Sequence, residues 1–323
     1  MRALVYEGVE TLVMRDVPDP VPEAGEELIR VESAGICGSD MHAYLGHDAR
    51  RPAPLILGHE AAGVIVGGAR EGERVTINPL NSCGECQASR NGRENLCPNR
   101  QIISMPPREG AFCEYVKIPA KSLVTVPDDV SLDKAALAEP LAVCWHAILL
   151  GLDALHPSMD RRAVVLGGGA IGFGSALALA AMGVTDVTIV EPNADRAAFL
   201  AEHGATVVPK ADGVFPLVVD AVGYAVTRET ASALAEPGGV IAHIGLGEDT
   251  GGLDIRRMTL QEITFIGTYA YTVQDFLDTT AAIFDGRFGP LDWTVAQPLD
   301  TGAAAFAELR EGRVAAPKVI LRP

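Results

Sequence analysis

The sequence predicts an α/β protein with two domains, and three features of the chain support this prediction. Up to about residue 150, short apolar runs are interrupted by Pro and Gly, which is typical of an antiparallel, partly barrel-like β domain. From about residue 160, strand-like and helix-like segments alternate, which is typical of a doubly wound parallel sheet. The length of 323 residues gives each domain enough chain for its own core.

The first domain is predicted to contain five short strands, followed by a helix-compatible bridge at 143–152. The strands are expected at 3–6, 27–33, 61–66, 74–78 and 112–118. The tail from about residue 287 returns to β-like segments such as 318–321, so we expect it to rejoin the first domain and leave a cleft between the two. We therefore assign 1–148 and 286–323 to the first domain and 149–285 to the second.

The second domain is predicted to alternate six strands with four helices. The strands are expected at 163–166, 186–190, 205–208, 217–220, 240–244 and 263–266, and the helices at 170–182, 194–203, 227–235 and 273–284. In an open parallel sheet, ligands bind at the carboxyl ends of the strands. The loops after Asp220 and His243 are therefore expected to face a cofactor, with Val222, Ile244 and Leu246 as candidate contacts.

A glycine-rich turn with the pattern G-x-G-x-x-G joins the first of these strands to the first helix. Gly167 allows a tight turn, Gly169 lets a pyrophosphate approach the backbone, and Gly172 lets helix and strand pack closely. The helix N-terminus offers free N–H groups to the phosphates. The residues predicted to bind the pyrophosphate are Gly167, Gly169, Ala170, Ile171 and Gly172.

The next predicted strand ends in Glu191. A carboxylate at that position accepts hydrogen bonds from the ribose hydroxyls and repels a 2′-phosphate, which favours NAD over NADP. Arg196 leaves an alternative open: its guanidinium either binds a phosphate or is an ordinary surface residue in the first turn of the helix capped by Asn193.

Two short motifs in the first domain supply ligand types that zinc binds. Cys37, His59 and Glu60 offer a thiolate, an imidazole and a carboxylate. Zinc binds such ligands at about 2.0 to 2.3 Å, and three protein ligands leave a fourth position for chemistry. A lone Cys and His pair is more often buried packing, but the nucleotide motif in the same chain favours a catalytic metal.

Composition excludes some classes of function. The formal net charge of −16 argues against a nucleic-acid surface and against docking on anionic lipid. The uncharged span 163–185 is long enough to cross a bilayer, but the strand–turn–helix interpretation explains it. The first residues are typical of a strand and not of a signal peptide. Six cysteines then indicate a reducing, cytoplasmic compartment, with Cys113 and Cys144 in the core.

The C-G-S-D-x-H run from Cys37 to His42, the G-H-E-x-x-G run from Gly58 to Gly63 and the glycine-rich turn together resemble the zinc-dependent medium-chain alcohol dehydrogenases. The run from Ala138 to Leu141 resembles their polyol, sorbitol-type branch. The resemblance implies a GroES-like catalytic domain, a Rossmann domain that binds NAD, and a homodimer or homotetramer.

The resemblance also implies roles for single residues. A catalytic zinc is held by Cys37 and His59 with Glu60 as third ligand, and Glu139 lies beside it, either as a ligand or holding the zinc-bound water. Ser39 and His42 match positions that relay a proton from the alcohol. The alternatives are a salt bridge for Glu60, a cap before Pro140 for Glu139, and turn chemistry for Ser39 and Asp40.

The chain departs from the family pattern in a segment that often binds a second, structural zinc through four cysteines. Here the positions hold Cys83, Cys86, Ser89 and Cys97. A structural zinc site is almost always closed by four ligands, so Glu85 or Glu94 substitutes, or the loop exists without metal. In the expected substrate pocket, Ala43 and Ala270 replace polar residues of polyol enzymes, which argues against a simple hexitol.

The function predicted from the sequence is NAD-dependent oxidation of a secondary alcohol, polyol- or sugar-like, to a ketone, with the reverse reduction available. Two alternatives are a zinc-free quinone or enone reductase and a non-catalytic nucleotide-binding protein on the same scaffold. Both would lack the intact set of Cys37, His59 and Glu60.

Overall fold

The computed structural model describes all 323 residues and divides into two compact units. The first unit comprises Met1–Glu139, Thr272–Gly286 and Thr294–Pro323, and the second comprises Pro140–Tyr271 and Arg287–Trp293. The predicted domains divided the chain after residues 148 and 285, whereas the units divide it after residues 139, 271, 286 and 293.

The first unit begins with short strands, as the Pro and Gly interruptions predict. Its elements up to the unit boundary are β1 (Arg2–Gly8), β2 (Thr11–Asp16), β3 (Glu26–Gly35), α1 (Gly38–Tyr44), β4 (Leu55–Ile56), β5 (Glu60–Val66), β6 (Arg74–Ile77), β7 (Leu80–Asn81), α2 (Gln87–Arg90), β8 (Gln101–Ile102), β9 (Tyr115–Pro119), β10 (Leu123–Thr125) and α3 (Leu132–Ala136). Three 3-10 turns, Glu94–Leu96, Ala120–Ser122 and Leu299–Thr301, also belong to this unit.

The next stretch of chain begins with the bridge helix and continues through the alternating strands and helices. Its elements are α4 (Ala138–Ala154), β11 (Arg162–Leu166), α5 (Ala170–Ala181), β12 (Asp186–Val190), α6 (Ala194–Glu202), β13 (Thr206–Val208), β14 (Phe215–Asp220), α7 (Ala225–Leu234), β15 (Ala235–His243), α8 (Ile255–Leu260) and β16 (Thr264–Gly267). The tail adds α9 (Val273–Phe284), β17 (Thr294–Pro298), α10 (Gly302–Arg310) and β18 (Lys318–Arg322).

The main sheet of the first unit brings distant parts of the chain side by side. Its order is β10-β6-β5-β3-β18-β17, with β9 also paired to β3, and a smaller sheet has the order β2-β1-β4. β3 lies antiparallel to both β5 and β18, so that Gly35 is opposite Glu60 on one side and Ile320 on the other. The tail strand β18 therefore pairs with β3 in the main sheet of the first unit.

The second unit contains a six-stranded sheet whose order is β13-β12-β11-β14-β15-β16, with every pair parallel. The two central strands are fully buried along most of their length, which explains their nearly continuous apolar sequences. The predicted doubly wound sheet is confirmed. The uncharged span 163–185 is divided between β11, a turn and α5, and none of the helices combines the length and apolar character needed to cross a bilayer.

Candidate active site

The three predicted zinc ligands lie together in the first unit. Ligand atoms of Cys37, His59 and Glu60 are all within 4.8 Å of one another. Cys37 precedes α1 as its N-cap residue, Glu60 is the first residue of β5, and His59 directly precedes that strand. The pairing of β3 with β5 produces this proximity. A thiol, an imidazole and a carboxylate converging at one point fit a zinc ion by donor type.

Asp40 determines how His59 is oriented. The Asp40 side chain is fully buried, and its Oδ1 lies 3.3 Å from Nδ1 of His59. Its carboxylate also accepts hydrogen bonds from the backbone N–H groups of Cys37 and Gly58. Because Nδ1 faces this carboxylate, Nε2 is left for a metal, an arrangement common among metal-binding histidines. Asp40 therefore combines turn chemistry with the orientation of a candidate ligand.

The charges of this pair reinforce each other. Burial by itself raises the pKa of Asp40, but His59, Arg51 and the backbone donor of Cys37 outweigh it and lower the pKa. Burial likewise opposes the charged form of His59, yet Asp40 and Cys37 raise its pKa well above the usual value. The carboxylate of Asp40 and the imidazole of His59 therefore each favour the charged form of the other.

Glu60 forms a buried ion pair with Lys318. Nζ of Lys318 lies 2.7 Å from each carboxylate oxygen of Glu60 and donates to the carbonyl oxygen of Ile36 at 2.9 Å. Burial opposes the charge on Lys318, but Glu60 and then Cys37 raise its pKa. The sequence left open whether Glu60 is a metal ligand or a salt-bridge partner. In the structure Glu60 lies beside the other two candidate ligands and also forms the salt bridge. Sequence reasoning missed Lys318, because Glu60 lies 258 positions away in the chain.

The remaining catalytic candidates are Ser39, His42 and Glu139. Oγ of Ser39 lies 3.3 Å from Nε2 of His59. His42 follows three residues later on the same face of α1, with its ring 6.5 Å from that of His47. Glu139 lies in the first turn of α4, buried, and its charge acts on Lys318. It is outside the group whose ligand atoms lie within 4.8 Å of one another.

The second cysteine cluster, Cys83, Cys86 and Cys97, also has its sulfur atoms within 4.8 Å of one another. Oγ of Ser89 lies 3.2 Å from Sγ of Cys86 and 3.9 Å from Sγ of Cys83. The hydroxyl thus lies beside the thiols where the family pattern has a fourth cysteine. Backbone N–H groups of the two residues Glu85 and Cys86 lower the pKa of Cys83 to about 6.

Neither glutamate considered as a substitute ligand joins this cluster. The group within 4.8 Å contains only the three cysteines. A carboxylate oxygen of Glu94 instead accepts a hydrogen bond from the backbone N–H of Val273, at 3.3 Å. Glu85 contributes its backbone N–H to Cys83, not its carboxylate. Neither carboxylate therefore lies within 4.8 Å of all three sulfur atoms, and replacement of the fourth cysteine by Glu85 or Glu94 stays a prediction.

The glycine-rich turn in the second unit has the geometry its sequence predicts. Gly167 has φ of 93°, a conformation that favours glycine. A Cβ on Gly172 would lie 1.8 Å from the carbonyl oxygen of Gly167, so only glycine lets α5 pack against the turn. A Cβ on Gly169 would meet nothing within 4 Å. The turn is tight where the chain folds back and open where a pyrophosphate would approach the N-terminus of α5, at Ala170 and Ile171.

Glu191 lies against the same turn. Its carboxylate accepts hydrogen bonds from the backbone N–H of Gly168, at 2.9 Å, and of Asn193, at 2.8 Å. Each carboxylate oxygen has two acceptor sites, so capacity for ribose hydroxyls remains. Arg196 is in the first turn of α6, whose N-cap is Asn193, as predicted.

The loops after β14 and β15 lie against each other at the carboxyl edge of the sheet. The backbone N–H of Gly247 donates to the carbonyl oxygen of Val222 at 3.1 Å, and a Cβ on Gly167 would lie 2.4 Å from the Val222 side chain. Ile244 and Leu246 belong to the second of these loops, where Ile244 is buried and Leu246 is exposed. The structure thus brings Val222 to the glycine-rich turn and places the other two in the adjoining loop.

Sequence reasoning missed several buried polar residues near these sites. Arg51 and Ser104 lie beside Ser39 and His59, and Asp220 accepts a hydrogen bond from His243 at 3.1 Å. Single polar residues outside a recognisable motif gave no usable signal, because their partners are distant in the chain.

Comparison with known proteins agrees with this geometry. Residues 23–128 match the family model for the alcohol dehydrogenase GroES-like domain, and residues 170–285 match that for zinc-binding dehydrogenases. A sorbitol dehydrogenase of Arabidopsis thaliana is 30% identical, over 82% of this chain and 79% of its own. A probable D-xylulose reductase A of Arthroderma otae is 28% identical, over 96% of this chain and 94% of its own.

A solved structure extends the agreement to the whole fold. An alcohol dehydrogenase of Escherichia coli CFT073, crystallised with NADH, matches with a TM-score of 0.89 and 25% identity, over 100% of this chain and 99% of its own. Fold and ligand sets together define a zinc-binding dehydrogenase built from a GroES-like and a Rossmann unit. The chain belongs to the zinc-dependent medium-chain alcohol dehydrogenase superfamily, in its polyol branch.

Proposed function

We propose that this protein oxidises a secondary alcohol of polyol or sugar type to a ketone, with NAD as hydride acceptor and zinc held by Cys37, His59 and Glu60. The observation that carries the proposal is the convergence of these three ligands within 4.8 Å of one another. The polyol-type substrates named for the relatives support the substrate class. The same site can run the reduction of the ketone in reverse.

The residues around the ligands have separable tasks. When bound, zinc supplies a Lewis acid that makes the substrate hydroxyl more acidic. Asp40 holds the imidazole of His59 in place through Nδ1. We assign to Ser39, whose Oγ lies 3.3 Å from Nε2 of His59, the task of accepting the proton of the substrate hydroxyl while passing its own to His42, which exchanges it with water. The hydride leaves the same carbon for the nicotinamide, so protons and electrons balance.

Glu139 and the cofactor residues complete the proposal. Glu139 either joins the ligand set or holds a water beside it, since its charge already acts on Lys318 at the site. Glu191 selects NAD, because its buried carboxylate beside the glycine-rich turn repels a 2′-phosphate. Arg196 is assigned to the helix surface, with phosphate binding as the alternative.

We propose that the enzyme acts in the cytoplasm as a small oligomer. All six cysteines are free thiols, which supports a cytoplasmic location. A homodimer or homotetramer follows by analogy with the family. We propose a small-molecule alcohol or ketone as the substrate and no nucleic acid or membrane as a partner, in keeping with the net charge of −16.

The experiment is a turnover assay of the zinc-loaded protein with NAD or NADP and a panel of polyols and sugar alcohols, following the absorbance of the reduced cofactor. We expect turnover with NAD at least about tenfold faster than with NADP, because an acidic residue disfavours the 2′-phosphate. Cys37→Ser is the control and should be inactive while still binding NAD. No turnover across the panel would favour a nucleotide-binding protein, and metal-independent reduction of enones would favour the zinc-free reductase.

A further inference from the structure

Arg51 is a buried arginine whose guanidinium joins three separate segments next to the candidate proton relay. Its side chain is 2% exposed. Nε donates to the carbonyl oxygen of Ser104 at 3.1 Å, and Nη1 donates to Asp48 at 2.6 Å. Nη2 donates to Oγ of Ser39 at 3.4 Å. The planar fork of a guanidinium suits such simultaneous contacts, and a lysine ammonium could not reproduce them.

Ser104 connects Arg51 to His59. Its hydroxyl lies 3.4 Å from Nδ1 of His59 and 3.3 Å from Nε of Arg51. Ser104 is fully buried and has φ of 65°, in the left-handed region that non-glycine residues seldom adopt. Such a conformation persists only where the surroundings impose it, and it is common at functional sites.

The hydrogen-bonding capacity of Ser39 shows what Arg51 does there. A serine hydroxyl has one proton to donate and two acceptor lone pairs. Since a guanidinium can only donate, one lone pair of Ser39 accepts from Arg51. Nε2 of His59, when it is a metal ligand, has no lone pair left for the proton of Ser39. The hydroxyl therefore keeps one lone pair and one proton, the two things a relay must use.

We infer that Arg51 is a positioning residue that fixes the Ser39 hydroxyl in the orientation needed to relay the substrate proton. The inference deepens the proposed function and rests on it. Arg50 provides a matched control, since it donates to the same Asp48 carboxylate, at 2.8 Å, from a side chain that is 56% exposed.

The test is a double-mutant cycle of Arg51→Gln and Ser39→Ala in the zinc-loaded enzyme, with NAD and the best polyol substrate. Arg51→Gln should lower kcat about 10- to 100-fold, as expected when a reacting group is misplaced by about 1 Å. The KM for NAD should stay unchanged, and the solvent deuterium isotope effect on kcat should rise as proton transfer slows. In the Ser39→Ala background, Arg51→Gln should cost less than about twofold more, because coupled residues are not additive.

Other outcomes would contradict the inference or give Arg51 a different role. Full additivity in the cycle, or an unchanged kcat, would mean that Arg51 does not act through Ser39. Arg50→Gln should remain within about twofold of the wild type, and an equal loss there would point to Asp48 or to general charge. If Arg51→Gln fails to fold or to retain zinc, Arg51→Lys is measured in its place, and failure of both makes Arg51 a structural residue. An inactive wild type would instead reject the proposed function.

Discussion

Gly35 leaves the space that the carboxylate of Glu60 occupies. A Cβ at this position would lie 2.0 Å from Oε2 of Glu60, which is closer than any real contact. Because Glu60 is also held by Lys318, the carboxylate cannot move freely away. At the scale of single residues, the metal site therefore depends on Gly35 having no side chain as well as on the ligands themselves.

Gly35→Ala should weaken zinc binding about 10- to 100-fold, the usual effect of disturbing groups that support metal ligands. Competition with a chelator measures the affinity. Gly38→Ala is the control, because its Cβ would meet nothing within 4 Å although it adjoins Cys37. Equal zinc affinities for the two variants would show that Glu60 does not contribute to the site.

Lys318→Met should destabilise the metal-free protein by about 3 to 5 kcal/mol, because it leaves the buried Glu60 carboxylate without its partner. Arg322→Met, on the same strand, removes a surface pair with Asp133 and should cost less than about 1 kcal/mol. Denaturant unfolding measures both. A similar small cost for the two would contradict the assignment.

The direction of the pKa shift of Lys318 determines how its contribution to the stability of the fold depends on pH. The folded-state pKa of Lys318 is raised above its unfolded value of 10.5. A raised pKa stabilises the folded state fully below the unfolded value and loses that effect only as pH rises through the folded value. Between pH 6 and 9, below the unfolded value of 10.5, denaturant unfolding of the wild type should thus show no loss of stability that arises from Lys318.

Among the structural elements, the turn from β11 into α5 contains two glycines whose replacement by alanine should have different effects. Gly169→Ala should leave the thermal midpoint nearly unchanged, since its Cβ meets nothing, but should weaken NAD binding by about tenfold or more if the pyrophosphate lies there. Gly172→Ala should lower the midpoint, because its Cβ would clash with the carbonyl of Gly167. Scanning calorimetry and NAD titration check both, and an undiminished NAD affinity in Gly169→Ala would contradict the site.

The cysteine cluster formed by Cys83, Cys86 and Cys97 is an element with three thiols and one hydroxyl. Ser89→Cys should supply a fourth sulfur ligand and raise the zinc content by up to one ion per chain, since closed four-coordinate sites bind zinc best. Ala88→Cys, one residue earlier on α2, is the control for an added thiol. Equal zinc content in both variants, measured by elemental analysis, would show that the cluster does not accept a metal in this way.

Strands and helices were predicted correctly where a local sequence pattern determines the secondary structure. The six strands of the second unit and its helices α5, α6 and α7 were expected from apolar runs punctuated by Gly, and they form with ends shifted by a few residues. The helix expected at 273–284 also forms, as α9, but it belongs to the first unit. The helices α1, α2, α3, α8 and α10 were missed; α1 coincides with the C-G-S-D motif, and α10 lies in a tail interpreted as β-like. Short helices carry too little periodicity to be recognised.

Across the whole molecule, the sequence predicted those site residues that belong to recognisable motifs and missed the residues outside them. Cys37, His59 and Glu60 were recognisable because zinc requires those ligand types. The partners Lys318 and Arg51 were not, because Lys318 pairs with Glu60, 258 positions away, and Arg51 donates to Ser104, 53 positions away. The charges that hold the ligands in place can therefore be found only from the folded chain.

A single zinc ion at Cys37, His59 and Glu60 should be what makes this protein a dehydrogenase. The most direct measurement is to strip the protein of metal, add zinc back in steps, and follow NAD-dependent polyol oxidation in the wild type and in Cys37→Ser. We predict that wild-type turnover is lost on stripping and returns with the first tightly bound equivalent, while Cys37→Ser recovers none. Full turnover by metal-free protein, or equal recovery by Cys37→Ser, would contradict the account.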